Sequence, residues 1–229
     1  MLNAFALGAL TQLSLVLSGL IVFLVTIPRR TVGALAAFGA GALIAAVSRD
    51  LLPEANELQL FQGALWAMLG AAAIMAGEHF VEERFGSEGP SGALGIVIGA
   101  VVDGVPEAII FGIQLARGEA VSAAFVAAVF VSNIPQAVAP SADLATAGWN
   151  WRRISGLWGS VVLACGVAAV LGFVAGSAAS RVQGSRMAAF AAGGILAMLS
   201  NSLIPFAHER DRRAGFWTVV GFCASFAIG

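Results

Sequence analysis

The chain has 229 residues, of which 59% are hydrophobic and 11% are charged, and its formal net charge is −1. A soluble domain carries about 25% charged residues, so this composition excludes an ordinary soluble protein and predicts an integral membrane protein. The near-neutral charge and the lack of a basic patch exclude nucleic acid as a partner. Lipid is the partner that the composition predicts.

Eight apolar segments, each about 16–24 residues long, follow one another along the chain. A helix needs about 20 apolar residues to cross a bilayer, so the segments predict an all-α integral membrane protein with eight spans. The predicted spans are 4–26, 32–52, 59–80, 92–115, 121–141, 155–177, 187–206 and 214–229. No arginine precedes Arg29, so we expect the first segment to be a retained helix and not a signal peptide. The short connectors predict one transmembrane domain over residues 1–229.

The arginines predict how the chain is oriented. Eight of them lie in the connectors that follow the odd-numbered segments: Arg29, Arg30, Arg84, Arg152, Arg153, Arg210, Arg212 and Arg213. The opposite side holds four: Arg49, Arg117, Arg181 and Arg186. Basic residues are enriched in cytoplasmic loops. We therefore expect a multi-pass protein of the inner or plasma membrane with both termini outside the cytoplasm.

An internal repeat relates the second and seventh segments. The stretch "AAFGAGALIAAVSRDLLPEA" (36–55) aligns with "AAFAAGGILAMLSNSLIPFA" (188–207), with ten identities in twenty positions. The two differ by five positions in the order of segments, so they run in opposite directions, as in the inverted repeats of secondary transporters. "DGVPEA" (103–108) likewise matches "SNIPQA" (132–137) in the fourth and fifth segments. These matches predict a 3+2+3 arrangement, with halves at about 1–80 and 155–229 and a central helix pair at about 92–141.

Two carboxylates lie in the middle of the fourth segment. Asp103 and Glu107 are four residues apart, so they share one face of a helix. Each carboxylate at the centre of a spanning helix costs roughly 2.5–3.5 kcal/mol. Pro106 lies between them and leaves a backbone carbonyl of the preceding turn free. This combination points to a functional site.

The fifth segment offers neutral oxygen atoms at the related positions. If the two segments face each other, Ser132, Asn133 and Gln136 converge on the two carboxylates. Two neighbouring carboxylates repel, so either one is protonated or a cation lies between them. Ligation by oxygen alone suits hard divalent ions. The structural alternative is a packing kink at the prolines and amides that only bridge helices.

The motifs "VVDGVPEAIIFG", "SNIPQA" and "DLLPEA", together with the predicted arrangement, resemble the ZIP (Zrt/Irt-like) divalent metal transporters over essentially the whole chain. In that family, helix four carries H-(N/S)-x-P-E-G and helix five carries H/Q-(E/D/N)-x-P-E, and the two form a metal centre. The resemblance implies transport of zinc, iron or manganese into the cytoplasm, with the ion as substrate and no permanently bound cofactor. The family's ligand positions fall on Asp103, Gly104, Glu107, Ser132, Asn133 and Gln136.

This sequence departs from the family motif at several ligands. Asp103 replaces a histidine, Gly104 has no side chain to offer, and Gln136 replaces a glutamate. The sixth segment contains no carboxylate. The resemblance therefore implies one site built on Asp103 and Glu107, and a site that suits zinc less than the imidazole-containing sites of the family. The alternative is a degenerate ZIP-like protein with a sensor or regulatory role, or with a different solute.

Other polar residues are candidates for the path of the ion. Asp50 and Glu54 lie at the external end of the second segment, where acidic side chains concentrate cations. The cytoplasmic candidates are Asn201, His208, Glu209 and His79, together with Glu78 beside His79. Solvated loop residues are the alternative interpretation for each.

Two further features bear on the class of protein. No HExxH, GxSxG or GxGD motif occurs in the chain, so we do not predict an enzyme. Small residues such as Gly172 and Gly176 allow close helix packing, either within one protomer or between two. A homodimer therefore stays open as an alternative.

Overall fold

The computed structural model describes residues 1–55, 58–85, 90–118, 121–179 and 181–228, without the side chains of 54, 85, 90–97, 181 and 182. The described residues form eight helical rods, that is, eight helices or continuous helical stretches, joined by short connectors. The rods are α1 (Leu2–Ile21), α2 (Arg29–Ala46), α3 (Leu60–Phe85), α4 (Pro90–Ala116), α5 (Ala123–Thr146), α6 (Trp151–Ala178), α7 (Arg181–Met198) and α8 (Ala214–Ile228). The predicted all-α class is confirmed for the described residues.

Two of the rods continue through a π-helical turn. α2 passes through Val47–Leu51 into a last α-helical turn, Leu52–Ala55. α7 passes through Leu199–Leu203 into Ile204–Arg210. Each rod is treated below as one helix, α2 or α7, including its π turn and final segment.

Seven spans in the described residues are long and apolar enough to cross a membrane, and α8 is a shorter apolar helix. The multi-pass membrane character predicted from composition therefore agrees with the structure. Lipid tails cannot form hydrogen bonds with the backbone, so a segment that crosses the membrane satisfies its N–H and C=O groups within a helix.

Several helices extend past the predicted apolar segments. α5 continues to Thr146, five residues beyond the predicted end, and α7 begins at Arg181 and ends at Arg210, beyond both predicted ends. Hydropathy detects only the part of a helix that lies in lipid, whereas helical hydrogen bonding continues into the polar interface. α1 is the opposite case and ends early, at Ile21, because a tighter turn with Leu24 N–H donating to Ile21 O closes it.

Side-chain caps and glycine turns explain where the central helices start and end. Ser122 Oγ accepts from Phe125 N at 3.2 Å at the start of α5, and Asn150 Oδ1 accepts from Arg153 N at 3.0 Å at the start of α6. Gly118 and Gly148 follow α4 and α5 with φ of 69° and 89°, a left-handed conformation that glycine adopts without a steric penalty.

The closest helix pairs in space are mostly not neighbours in sequence. α4 packs chiefly on α6, α2 on α8, and α3 on α7, while α1 packs on α5 and α6. α2 also packs along α5. Small residues let backbones meet, because a Cβ on Gly112 would collide with the carbonyl of Ala169 and one on Gly172 with that of Ile109.

α4 and α5 do not form the closely facing pair that the sequence predicts. They approach each other over a short stretch only, and each makes its main contacts with other helices. The physical reason is the position of the glycines that allow close packing. Gly112 lets α4 pack closely against α6. Gly39 of α2 lies against the backbone of Ser132 and lets α5 pack closely against α2. Polar side chains from a third helix, α1, lie beside both.

Candidate metal site

The two predicted carboxylates lie on α4 on either side of Pro106. Glu107 is 2% exposed, and Asp103 is partly buried. Among the described residues, the charged groups that act on them are other carboxylates, Glu78 on Asp103 and Asp103 on Glu107. A buried acid without a basic neighbour needs a proton or a cation to compensate its charge.

Gln12 of α1 links the polar residues of α4 and α5. Its Oε1 accepts a 2.9 Å hydrogen bond from Asn133 Nδ2. Its amide also lies beside the Glu107 carboxylate. Among the described residues, Gln12 Nε2 has no hydrogen-bond partner within the usual distance, although Gln12 is only 1% exposed. A buried amide N–H therefore lies next to a buried carboxylate that can accept it.

Gly104 explains how Gln12 reaches this position. A Cβ on Gly104 would lie 3.2 Å from Gln12 Nε2 and 2.9 Å from the sulfur of Cys165. The absent side chain thus leaves room for an amide from α1 and a buried thiol from α6. The position that lacks a ligand in the sequence motif is filled by side chains from two other helices.

Asp103 and Gln136 are brought together, as the sequence predicts. Both line a cavity of about 80 Å³ where α4, α5 and α7 meet, and its other walls are Ser202, Leu203 and Phe206. One water needs only about 10–15 Å³ of such space. The cavity can therefore hold an ion with part of its hydration.

Ser132 and Asn133 are engaged elsewhere. Ser132 Oγ donates to Val129 O of its own helix at 2.9 Å, and its backbone lies against Gly39 of α2. Asn133 Nδ2 donates to Gln12, with a longer contact of 3.4 Å to Thr11 O. Of the three predicted residues on α5, Gln136 is the one that shares a cavity with a carboxylate.

Glu78 of α3 extends the polar region beyond the cavity. Its carboxylate accepts hydrogen bonds from Ser202 Oγ at 3.0 Å and Asn201 Nδ2 at 3.3 Å. Ser202 also lines the cavity that contains Asp103. A chain of polar groups therefore leads from Asp103 through Ser202 to Glu78, and the predicted pathway residue Asn201 belongs to it.

The other predicted pathway residues have different surroundings. His79 Nε2 lies 3.2 Å from Glu83 Oε1, with both side chains about 70% exposed. Glu209 contacts Arg210 at 3.5 Å on the surface, and His208 is exposed. Asp50 lies close to Ser122 and Arg49, with one buried carboxylate oxygen unpaired among the described residues. The side chain of Glu54 lies outside the described residues.

The number of acidic ligands is small. Within the parts of the chain that the structure describes, no three His, Cys, Asp or Glu side chains lie together as a metal-binding group. An ion at this site would be held by Asp103 and Glu107, with amide, hydroxyl or backbone oxygens completing its shell. Such a shell is typical of hard divalent cations and not of structural zinc.

Sequence reasoning missed one residue of the site, Gln12 of α1. Gln12 has a visible signal, because it is an amide within an apolar segment beside Thr11, Ser14 and Ser18, three polar residues at helical spacing. All four are buried in the structure. The sequence predicts Glu78 only as one of the cytoplasmic acids that could receive a departing ion, and in the structure it bonds to Ser202 of the cavity wall.

No model of a known protein family matches this chain, and neither does any curated protein. The residues and their geometry therefore carry the functional assignment.

Proposed function

We propose that the chain is a transporter that moves divalent metal cations of the zinc, iron or manganese type into the cytoplasm through the carboxylates of α4. The observation that carries this proposal is the burial of Glu107 one helical turn from Asp103, where the charged groups that act on the pair among the described residues are carboxylates. Two like charges in a low dielectric repel strongly. A divalent cation between them would remove this repulsion.

Two matching π turns, one in α2 and one in α7, support a transporter with a 3+2+3 inverted repeat. The π turns begin at Val47 and Leu199, 152 residues apart, at aligned positions of the sequence repeat. The serine after each start makes the same bond, because Ser48 Oγ donates to Ile44 O and Ser200 Oγ to Leu196 O, both at 2.8 Å. Inverted repeats commonly place a substrate site near the middle of the membrane.

The polar chain from Asp103 to Glu78 supports an exit route. It leaves the site towards the ends of α3 and α7, where Arg84 lies in the last turn of α3 and Arg212 and Arg213 follow α7. In the proposed orientation, that end faces the cytoplasm. An ion leaving Asp103 would then meet hydroxyl, amide and carboxylate oxygens in turn, which compensates for its lost hydration.

One observation favours a second function. Because no third acidic ligand lies with Asp103 and Glu107 among the described residues, a ZIP-like protein that binds an ion without moving it, as a sensor or regulatory partner, remains the competing proposal. Binding would then be measurable without uptake.

The test is metal uptake by proteoliposomes that contain the purified chain and a metal-sensitive dye. The wild type should take up zinc, iron or manganese, and the double variant Asp103→Asn/Glu107→Gln should not. The control is Glu82→Gln/Glu83→Gln, which removes two exposed carboxylates of α3 and should transport normally. Uptake that persists in the double variant would refute the proposed site. Binding to the wild type without any uptake would favour the sensor.

A further inference from the structure

A large apolar groove lies on the side of α4 away from the carboxylates. Its volume is about 900 Å³, and α3, α4, α6 and α7 form its walls. α4 contributes Val102, Val105, Pro106 and Ile109 to the lining, but not Asp103, Gly104 or Glu107. The groove exists because α3 packs on α7 while α4 packs on α6, with small residues such as Ala175 between the two pairs.

The groove has a polar end and an apolar end. Arg186 and Gln183, close to the start of α7, line the polar end together with Ala178 at the end of α6. Val101 and Gly77 line the far end, at the level of the middle of α4. Since helices end at the membrane interface, the groove runs from the interface towards the membrane centre.

Among the described residues, one donor of Arg186 has no acceptor. Its Nε is buried and has no hydrogen-bond partner among the described residues. Its guanidinium lies 5.9 Å from the ring centroid of Trp66, which also lines the groove. An unpaired buried N–H is costly, and a guanidinium pairs well with phosphate oxygens. Tryptophan beside it is typical of the membrane interface.

We propose that an anionic phospholipid occupies this groove, with its phosphate on Arg186 and an acyl chain along the outer face of α4. The lipid matches the groove at both ends. Its charged head group would lie at the polar end near the interface, and its apolar chain would run towards the membrane centre. Its chain would pack on Val102 and Pro106, directly behind the two carboxylates. This binding site does not depend on the transport of metal.

The test compares lipids that differ only in head group. The melting temperature of the purified full chain in detergent is measured with phosphatidylglycerol, with phosphatidylcholine of the same acyl chains, and with inorganic phosphate. At saturation, phosphatidylglycerol should raise Tm by about 5 °C or more, phosphatidylcholine by clearly less, and phosphate not at all. Arg186→Gln should abolish the difference between the two lipids. Arg152→Gln, an exposed arginine over Trp151, is the matched control and should preserve it.

A second variant and a second readout guard against misfolding. Ala175→Phe should fill the groove and reduce stabilisation by both lipids. Native mass spectrometry of the wild type should show one retained phosphatidylglycerol per chain. Equal stabilisation by both lipids, unchanged selectivity in Arg186→Gln, or stabilisation by phosphate alone would each overturn the proposal. Cross-linking of two copies through Ala175→Cys would assign the groove to a dimer instead.

Discussion

Gln12 is the residue through which three helices share one polar region. It accepts from Asn133 of α5 and lies beside Glu107 of α4, although it belongs to α1. Buried amides of this kind hold helices in a fixed register, because in lipid a lost hydrogen bond is not replaced by water. The position of Glu107 relative to α5 therefore depends on Gln12, which lies outside the motifs of the fourth and fifth segments and is not a predicted ligand.

Replacing Gln12 should weaken both stability and uptake. Gln12→Leu leaves Asn133 Nδ2 with only its 3.4 Å contact to Thr11 O, and such a loss costs about 1–3 kcal/mol. We expect a lower Tm in detergent and slower metal uptake in proteoliposomes. Ser14→Ala is the control, because Ser14 Oγ donates only to Thr11 O of its own helix. If both variants behave alike, Gln12 does not hold the site together.

Gln136→Glu should tighten metal binding. The side chain lines the cavity that contains Asp103, so the variant places another carboxylate next to the ion. More acidic ligands raise the affinity for divalent cations. We expect KM for uptake to fall about three- to tenfold, and the maximal rate to fall because release is slower. Gln59→Glu, at an exposed position outside the helices, should change neither. An unchanged KM in Gln136→Glu would show that the ion does not pass through the cavity lined by Asp103 and Gln136.

Uptake should decrease as the external solution is acidified. In the proposed site, metal and protons would compete for the oxygens of Asp103 and Glu107, and Glu78 is a further acid that acts on Asp103. Initial rates at subsaturating metal should fall as the external pH is lowered, and should recover at high metal concentration. A rate that rises with acidification would point to proton-driven transport and contradict simple competition.

The two carboxylates and the nearness of Gln136 to Asp103 were predictable from the sequence, and the contacts of Ser132, Asn133 and Gln12 were not. A pair of acids around a proline in an apolar segment is visible without any structure. The contacts of Ser132 and Asn133 depend instead on how far α5 lies from α4, which Gly39 and Gly112 set through their packing on other helices. Motif spacing fixes the face of one helix, but it carries no information on which helix lies opposite.

At the scale of elements, the two π turns are the clearest sign of duplication. Val47–Leu51 and Leu199–Leu203 interrupt α2 and α7 at aligned positions. Proline follows each turn, at Pro53 and Pro205, and its missing N–H relaxes the regular helical bonding before it. The repeat could be predicted from identities in the sequence, whereas the widened turns could not, because no propensity scale distinguishes a π turn from an α turn.

Close packing at paired glycines should be equally important in both halves. A Cβ on Gly41 would collide with the Thr218 carbonyl of α8, and one on Gly193 with the Ala67 carbonyl of α3. Gly41→Ala and Gly193→Ala should each lower stability by about 1–3 kcal/mol, measured as Tm in detergent. Gly156→Ala is the control, since nothing lies within 4 Å of a Cβ there. A large effect in one half only would argue against equivalent packing.

At the scale of the whole molecule, the arginines distinguish the two ends of the helix bundle. Arg152 and Arg153 start α6, and Arg212 and Arg213 precede α8, at the end reached from Asp103 through Glu78. The opposite end carries the acidic Asp50 and the polar end of the groove around Arg186. This asymmetry was visible in the sequence because it depends only on which connector holds each charge. Packing does not alter it.

The orientation that follows from this asymmetry is testable by cysteine labelling in intact cells. Cys223 is exposed, so Cys165→Ala and Cys223→Ala are introduced first to remove the native thiols. Ala147→Cys, in the α5–α6 connector beside Arg152, should react with a membrane-impermeant maleimide only after permeabilisation, because arginine-rich connectors stay in the cytoplasm. Gln59→Cys, between α2 and α3, should react in intact cells and serves as the opposite control. Labelling of Ala147→Cys from outside would contradict the proposed orientation. The route from Asp103 to Glu78 would then lead out of the cell and not into the cytoplasm.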